Sequence, residues 1–324
     1  MSDKLIVSCY PHLHKDESVS KIMWTVVISL IPAGLAGIWF FGKSALEVII
    51  LSVLSSLITE GFLQLMTKRK ITILDGSAFL TGLLLAYNLP PRVPFWLPII
   101  GGFFAISIGK HVFGGLGQNI FNPALVGRVF LMASWPKYMT TFIKPFDTIT
   151  SATPLAMVKE GKILENLSYL DLFLGKKAGC IGEVCVAALL MGAIFLLLKG
   201  YISWQIPFTY LFTVGLLSYI FGAKGLFNLP LQTKVAFGGD WLFHLLSGGL
   251  ILGAFFMATD YVTSPLTSKG QIVFGIGCGL LTVIIRLWGG YPEGVSYAIL
   301  IMNAATPIID RYTKPRVYGT RIKA

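Results

Sequence analysis

The sequence predicts an all-α integral membrane protein of about ten transmembrane helices, with interrupted half-helices and an inverted repeat. Three observations support this fold class. Of the 324 residues, 55% are hydrophobic and only 13% are charged, and the mean hydropathy is +0.74. Soluble domains carry about a quarter charged residues, so lipid must cover much of this apolar surface. The other two observations are the lengths of the apolar segments and a similarity between the two halves of the chain.

Apolar segments of about 17–25 residues can cross a bilayer as helices, because a helix satisfies its own backbone hydrogen bonds. The chain contains ten segments of roughly this length, and several are short or broken by Gly and Pro. We therefore predict membrane spans at residues 22–41, 45–66, 74–89, 95–111, 120–135, 182–199, 204–222, 241–259, 271–288 and 295–310.

Basic residues predict the orientation of these spans. Lysines precede the first span, a Lys68-Arg69-Lys70 cluster follows the second, and basic residues follow the last. With an even number of spans, both termini lie on the same side of the membrane. Placing them in the cytoplasm puts all three basic groups there as well, as the positive-inside rule prefers. The net charge of +11 is explained in this way and does not indicate a nucleic-acid partner. The predicted regions are a cytoplasmic tail (1–21), a first membrane repeat (22–135), an extracytoplasmic loop (136–181), a second membrane repeat (182–310) and a cytoplasmic tail (311–324).

Two pairs of segments are similar between the halves. LTGLLLAYNLPPRVPFW (80–96) resembles LILGAFFMATDYVTSPL (250–266), and IFNPALVGR (120–128) resembles IMNAATPIIDR (301–311). The first pair falls in the third and eighth predicted spans, which run in opposite directions, so the repeat is inverted. Inverted repeats with broken helices place polar sites near the bilayer midplane. Chance similarity between two Gly-rich apolar stretches is the alternative.

Arg128 lies within an apolar run, so we expect it to face protein, a cofactor or water. A guanidinium can bind a phosphate or a flavin carbonyl with two parallel hydrogen bonds. The structural alternative is an ion pair with Asp75, Asp260 or Asp310. Nearby, the Asn122-Pro123 step predicts an interrupted helix.

Acidic residues near the spans have two interpretations each. Asp260, beside Thr259, either caps the following turn or binds a cation or a flavin N–H. Glu60 either serves a cation path or extends to the surface near the lysine cluster. Glu60, Asp75 and Asp260 suit either Na+ or H+. Among the cysteines, the C-x4-C pair Cys180 and Cys185 is weak evidence for a disulfide or a metal site, and unpaired thiols are favoured.

The predicted loop contains the longest polar interruption of the chain, FDTITSATPLA at residues 146–156. A Ser/Thr-rich turn before Pro154 explains it without any function. However, TSATPL (150–155), NIFNPALVGR (119–128) and FMATDYVTSPLT (256–267) together resemble the D subunit of the Rnf complex. They also resemble, more distantly, the B subunit of the sodium-pumping NADH:quinone reductase. The resemblance covers essentially the whole chain and is strongest at 109–135, 146–156 and 254–310.

This resemblance implies FMN bound through its phosphate to Thr153, the last residue of an S/T-G/A-A-T motif. Ser151 stands where glycine is common in that motif, and Asp147 also fits the family pattern. A second, non-covalent flavin (riboflavin or FMN) is implied within the helices. We assign that flavin to the polar set Asn122, Arg128, Thr259, Asp260 and Asn303.

The resemblance further implies a subunit of a respiratory complex in the bacterial cytoplasmic membrane. Such a complex couples ferredoxin oxidation and NAD+ reduction to export of Na+ or H+, and this subunit would relay electrons without catalysing the whole reaction. Its implied partners are the other subunits, a flavin transferase and the lipid bilayer. One alternative is a secondary transporter or channel of inverted-repeat fold without a redox cofactor. Another is a structural membrane anchor for redox partners.

Overall fold

The first half of the chain consists of two long helices followed by three shorter ones. The computed structural model describes residues 17–147, 149–162, 167–222 and 237–314. Ser18 caps the first helix by accepting a hydrogen bond from the Lys21 N–H. Gly42, with φ of 68°, ends that helix and turns the chain directly into the next one. These helices are α1 (Val19–Phe41), α2 (Lys43–Met66), α3 (Ser77–Tyr87), α4 (Trp96–Ile106) and α5 (Pro123–Ser134).

The three shorter helices begin or end with irregular turns or caps. A 3-10 turn, Ile73–Asp75, precedes α3, and α4 continues as a π-helical turn at Ser107–His111. Asn122 caps α5 by accepting hydrogen bonds from the N–H groups of Ala124 and Leu125. The Asn122-Pro123 step is therefore the start of α5 and not a break within a continuous helix. Single π-helical turns are frequent at functional sites.

The segment between the halves folds into short elements. Asp171 and Ser168 form a capping box at the start of the last helix of this segment. The Ser168 hydroxyl and N–H groups that donate to Asp171 hold the pKa of that carboxyl below its usual range. In order, the elements are α6 (Pro136–Met139), the antiparallel strands β1 (Phe142–Ile143) and β2 (Thr150–Ser151), α7 (Pro154–Lys159) and α8 (Tyr169–Leu174).

The described part of the second half contains six α-helical segments, and its predicted span 241–259 is divided. Gly248, with φ of 68°, separates two short helices there, and a π-helical turn at Gly253–Met257 follows them. The segments are α9 (Val186–Lys199), α10 (Gln205–Phe221), α11 (Trp241–Leu246), α12 (Leu250–Leu252), α13 (Ser268–Trp288) and α14 (Val295–Thr313).

Three of these helices, α1, α2 and α13, are long and apolar enough to cross a membrane. Helices α3, α5, α9 and α10 are apolar but shorter, because caps, glycines and prolines end them early. The described part of the chain thus has the character of an all-helical membrane protein. The count of about ten spans stays a prediction.

Glycines permit the closest helix contacts in the core. A Cβ atom added to Gly82 in α3 would lie 2.7 Å from the Cα of Val53 and 2.9 Å from the Ser52 carbonyl oxygen, both in α2. The Ser52 hydroxyl in turn donates to the Gly82 carbonyl at 2.9 Å. Helices α2 and α3 therefore meet backbone to backbone at this glycine.

We expect Gly82→Ala to lower the free energy of unfolding by about 1–3 kcal/mol, because the added methyl group forces α2 and α3 apart. The measurement is the thermal stability of the detergent-purified chain. Gly290→Ala is the matched control, since a Cβ atom there meets nothing within 4 Å. Equal stability of the two variants would contradict the close approach.

Candidate functional site

Thr153 lies between β2 and α7 and is the N-cap of α7. Its hydroxyl oxygen accepts a hydrogen bond from the Ala156 N–H at 3.3 Å, and the residue is 3% exposed. Pro154 occupies the first helical position, where a missing N–H costs nothing. A phosphoester on the Thr153 oxygen would replace only the hydroxyl hydrogen. The capping role and the predicted attachment role are therefore compatible at the same atom.

A cavity of about 410 Å³ lies beside this cap. Ser151, Ala152 and Pro154, the neighbours of Thr153, line it. Its volume falls within the range of about 300–1,000 Å³ that is typical of ligand pockets. Lys144, Lys176 and Lys177 also line it, together with Asp171, whose carboxylate pairs with Lys176 at 3.8 Å. Lysines are common partners of phosphate.

Lys177 is a member of this set that the sequence did not reveal. It is 3% exposed and donates to the Leu246 carbonyl oxygen at 2.5 Å. Burial lowers the pKa of Lys177. A negatively charged group near this ammonium, such as a phosphate, would favour the charged form of Lys177.

Asp147 and Ser151 have different positions relative to Thr153. Asp147 accepts a hydrogen bond from the Ile149 N–H at 3.4 Å, and its own N–H donates to the Lys144 carbonyl. It therefore shapes the turn between β1 and β2. Ser151 faces the cavity and its hydroxyl donates to the Ala152 carbonyl.

Four residues of the set predicted for a second flavin lie together. Asn122, Thr259 and Asp260 line a cavity of about 90 Å³. Asn303 is next to Asn122, and its amide, in the orientation that satisfies both of its polar atoms, accepts from the Asn122 N–H at 3.1 Å. The Asn122 side chain donates to the Met257 carbonyl at 3.3 Å. The start of α5 is thereby joined to the π-helical turn of the other half.

Arg128 lies outside this cavity and belongs to a different cluster. It donates to the Asn88 side-chain oxygen and to Glu293, whose carboxylate oxygen is 2.5 Å away. The structural alternative, an ion pair between Arg128 and Asp75, Asp260 or Asp310, was therefore wrong in its partner. Glu293 lies in the short loop before α14, outside every predicted span. The aspartates accept from other donors instead: Asp75 from Ser77, Asp260 from Thr263 and Asp310 from the N–H of Leu266.

Glu60 forms a buried ion pair with Lys110. The ammonium nitrogen lies 2.7 and 2.8 Å from the two carboxylate oxygens, and it also donates to the Ser77 hydroxyl at 2.6 Å. Gln64 donates to Glu60 at 3.0 Å. Glu60 is 1% exposed and Lys110 is 2% exposed, so the interpretation that Glu60 extends to the surface was wrong. Lys110 lies in the π-helical turn after α4 and lines the 90 Å³ cavity.

The cysteines Cys180, Cys185 and Cys278 are all free thiols, and Cys180 is buried. The preference for unpaired cysteines over a C-x4-C disulfide is confirmed for these three. Cys9 lies outside the described residues.

The comparisons with known proteins agree on one family. Residues 6–319 match the NQR2, RnfD, RnfE family. The chain is 50% identical to the D subunit of the proton-translocating ferredoxin:NAD(+) oxidoreductase complex of Clostridium ljungdahlii, over 97% of this chain and 96% of that one. It is 49% identical to the D subunit of the Na(+)-translocating ferredoxin:NAD(+) oxidoreductase complex of Acetobacterium woodii, over 98% and 97% of the two chains.

A more distant relative extends the same result. The D subunit of the ion-translocating oxidoreductase complex of Escherichia coli is 36% identical over 97% of this chain and 98% of its own. A family match over nearly the full length, together with these identities, confirms the resemblance that the TSATPL and NIFNPALVGR motifs indicated. The chain belongs to the NQR2, RnfD, RnfE family, and its similar relatives are D subunits of ion-translocating oxidoreductase complexes.

Proposed function

We propose that this chain is a flavin-carrying membrane subunit of an ion-translocating ferredoxin:NAD+ oxidoreductase complex. It holds FMN through a phosphoester on Thr153 and relays electrons whose transfer is coupled to export of Na+ or H+. The observation that carries the proposal is the position of Thr153. It caps the start of α7, and its sequence neighbours line a cavity that three lysines also line. The names of the relatives supply the reaction.

The residues around the cavity fit a phosphate-bearing cofactor. Lys144 and Lys176 offer cations to a phosphate, and Met157 and Leu167 offer apolar surface to a ring system. Bound FMN would supply the electron transfer that no side chain of this site can perform. The role of the chain is to hold the phosphate, orient the ring and exclude water.

A second flavin fits the Asn122, Thr259 and Asp260 cavity less well. Amide and carboxyl groups suit the polar edge of a flavin ring, but a volume of about 90 Å³ is well below that of ordinary ligand pockets. Binding there would require side chains to move apart. The second flavin therefore stays a proposal that rests on the polar groups alone.

The proposed location is the bacterial cytoplasmic membrane, with both termini in the cytoplasm and residues 136–181 on the outer side. The distribution of basic residues supports this orientation. The proposed partners are the other subunits of the complex and a flavin transferase that modifies Thr153. Relatives of nearly equal identity, 50% and 49%, are named for different ions, so the proposal includes both Na+ and H+.

Mass spectrometry tests the flavin assignment directly. The chain is produced together with a flavin transferase, purified and digested with a protease. We expect the peptide that contains residues 150–159 to gain the mass of FMN less one water. An unmodified peptide from a preparation in which the transferase modifies a known substrate would overturn the assignment.

The transporter alternative is supported by the buried Glu60–Lys110 pair, since intramembrane charges often mark ion pathways. Purified chain in sealed vesicles distinguishes the two functions. Movement of Na+ or H+ by the chain alone, with no electron donor present, would favour a transporter. No ion movement in the absence of electron transfer is expected under the proposed function.

A further inference from the structure

We propose that Glu183 and Glu293 form a proton-binding site that holds one proton between their two carboxyl groups. Glu183 lies in the turn before α9, and Glu293 lies in the loop before α14. An oxygen of each carboxyl group and the Sγ atom of Cys180 lie within 4.8 Å of one another. Glu183 is 2% exposed and the Glu293 side chain is 10% exposed, so the pair is removed from bulk water.

One oxygen of each carboxyl group has a hydrogen-bond donor and the other has none. The Cys180 N–H donates to Oε1 of Glu183 at 2.9 Å, and Arg128 donates to Oε2 of Glu293 at 2.5 Å. Among the described residues, Oε2 of Glu183 and Oε1 of Glu293 have no hydrogen-bond partner, and both are buried. Buried polar atoms are normally satisfied. In the proposed site, a single proton on Glu183 satisfies both atoms, because the protonated Oε2 of Glu183 then donates and Oε1 of Glu293 accepts, directly or through one water.

Gly249 makes room for the Glu183 carboxyl group at the break between α11 and α12, and the neighbouring Gly248 lies within van der Waals contact of Glu293. A Cβ atom on Gly249 would lie 3.0 Å from Oε2 of Glu183, the oxygen without a partner. A Cβ atom on Gly248 would lie 3.8 Å from Cγ of Glu293. The break in the predicted span 241–259 therefore lies directly against the two carboxyl groups.

Three cations, Lys177, Arg286 and Arg128, face the pair from different elements. None of them donates a hydrogen bond to Glu183, and only Arg128 donates to Glu293. Lys177 donates to the Leu246 carbonyl, and Arg286 of α13 donates to the carbonyls of His244 and Ser247. These carbonyls are at the C-terminal end of α11, where helical partners are missing. Arg128 of α5 binds Glu293. Titratable groups near these cations and carboxyl groups include His244, Cys180, Cys185, Tyr210 and Tyr297.

The same arrangement disfavours a divalent metal ion as the ligand. Cys180, Glu183 and Glu293 offer three ligand atoms, but Arg128 lies 2.5 Å from Glu293 and 3.9 Å from the Cys180 sulfur. A fixed guanidinium charge therefore occupies the side that a metal ion would need. A proton adds a smaller charge and satisfies both unpartnered oxygens.

Infrared spectroscopy of the purified full chain tests the site without any flavin. A protonated buried carboxyl group has a carbonyl stretch that a carboxylate lacks. We expect the difference spectrum between wild type and Glu183→Gln to contain this band at neutral pH, and Glu293→Gln to shift its frequency because the acceptor becomes an amide. Asp171→Asn, which changes a carboxyl group in α8 on the surface, is the matched control and should leave the band unchanged.

Two results would overturn the proposal. One is the absence of the band from the difference spectrum at neutral and mildly acidic pH. The other is a band that appears in the wild type only after divalent ions are removed by a chelator, which would assign the carboxyl groups to a metal ion. Glutamine has the size of glutamate and can donate its N–H to Glu293, so Glu183→Gln is expected to fold.

The dependence of stability on pH gives an independent readout. A proton held by the folded chain is lost from the unfolded chain at about pH 4.3, the ordinary value for glutamate. The contribution of this proton to stability is full below that pH and decreases as the pH rises. The Tm of the wild type should therefore fall relative to that of Glu183→Gln as the pH is raised. A constant or opposite difference would contradict the shared proton.

Discussion

Replacing Thr153 with alanine is expected to abolish covalent flavin attachment to this chain. The phosphoester requires a hydroxyl oxygen at this position, and alanine has none. The measurement is flavin fluorescence of the protein band after denaturing electrophoresis, with chain produced beside a flavin transferase. The wild type should fluoresce and Thr153→Ala should not.

Loss of the helix cap is a second effect of this substitution and must be separated from the first. Removing an N-cap side chain costs about 0.5–2 kcal/mol, which can disturb the loop. Thr153→Asn is the matched variant, because asparagine can accept the Ala156 N–H and cannot form the ester. Thr150→Ala changes a nearby threonine that is exposed and lies in β2. Fluorescence that persists in Thr153→Asn would show that Thr153 is not the attachment site. Fluorescence that persists in Thr150→Ala would show that a neighbouring hydroxyl of the motif is not required.

Lys110→Met is expected to reduce the free energy of unfolding by about 3–5 kcal/mol, because it leaves the Glu60 carboxylate buried without a counter-ion. Both carboxylate oxygens contact the Lys110 ammonium group, and Gln64 provides one further donor. Reversible unfolding of the detergent-purified chain measures the change. The loss should diminish on acidification, since a protonated Glu60 no longer needs the cation.

The double variant Glu60→Leu/Lys110→Met distinguishes an unpaired charge from lost packing. Exchange of a whole buried ion pair for apolar residues is often neutral or stabilising, so the double variant should be markedly more stable than Lys110→Met. If both variants lose the same stability, Lys110 acts by filling space and not by neutralising Glu60.

Much of the fold was predictable because composition and segment length are local properties. The apolar runs at α1, α2 and α13 are long enough to be recognised, and these are the helices that can cross a membrane. The cap at Asn122 was also predictable, since Asn before Pro is a common helix start. The π-helical turns and the division of residues 241–259 were not, because they depend on how the two halves pack.

Only the part of the candidate site that lies in one short motif could be predicted from the sequence. Thr153 stands at the end of the TSAT motif, whereas the cavity beside it takes lysines from separate positions along the loop. Arg128 and Glu293 are 165 residues apart, and Glu60 and Lys110 are 50 residues apart. A single sequence shows that each is charged in an apolar context, but the choice of partner is made by the packing of distant segments.

The burial of Thr153 has a consequence for the proposed modification. The residue is 3% exposed, and its hydroxyl oxygen already caps the first turn of α7. Under the proposed function, a transferase must reach this oxygen before the loop closes or after it reopens. Maturation then becomes a competition between folding and modification. A variant that closes the loop more slowly should carry more flavin, and the flavin content of the chain would record the order of its assembly.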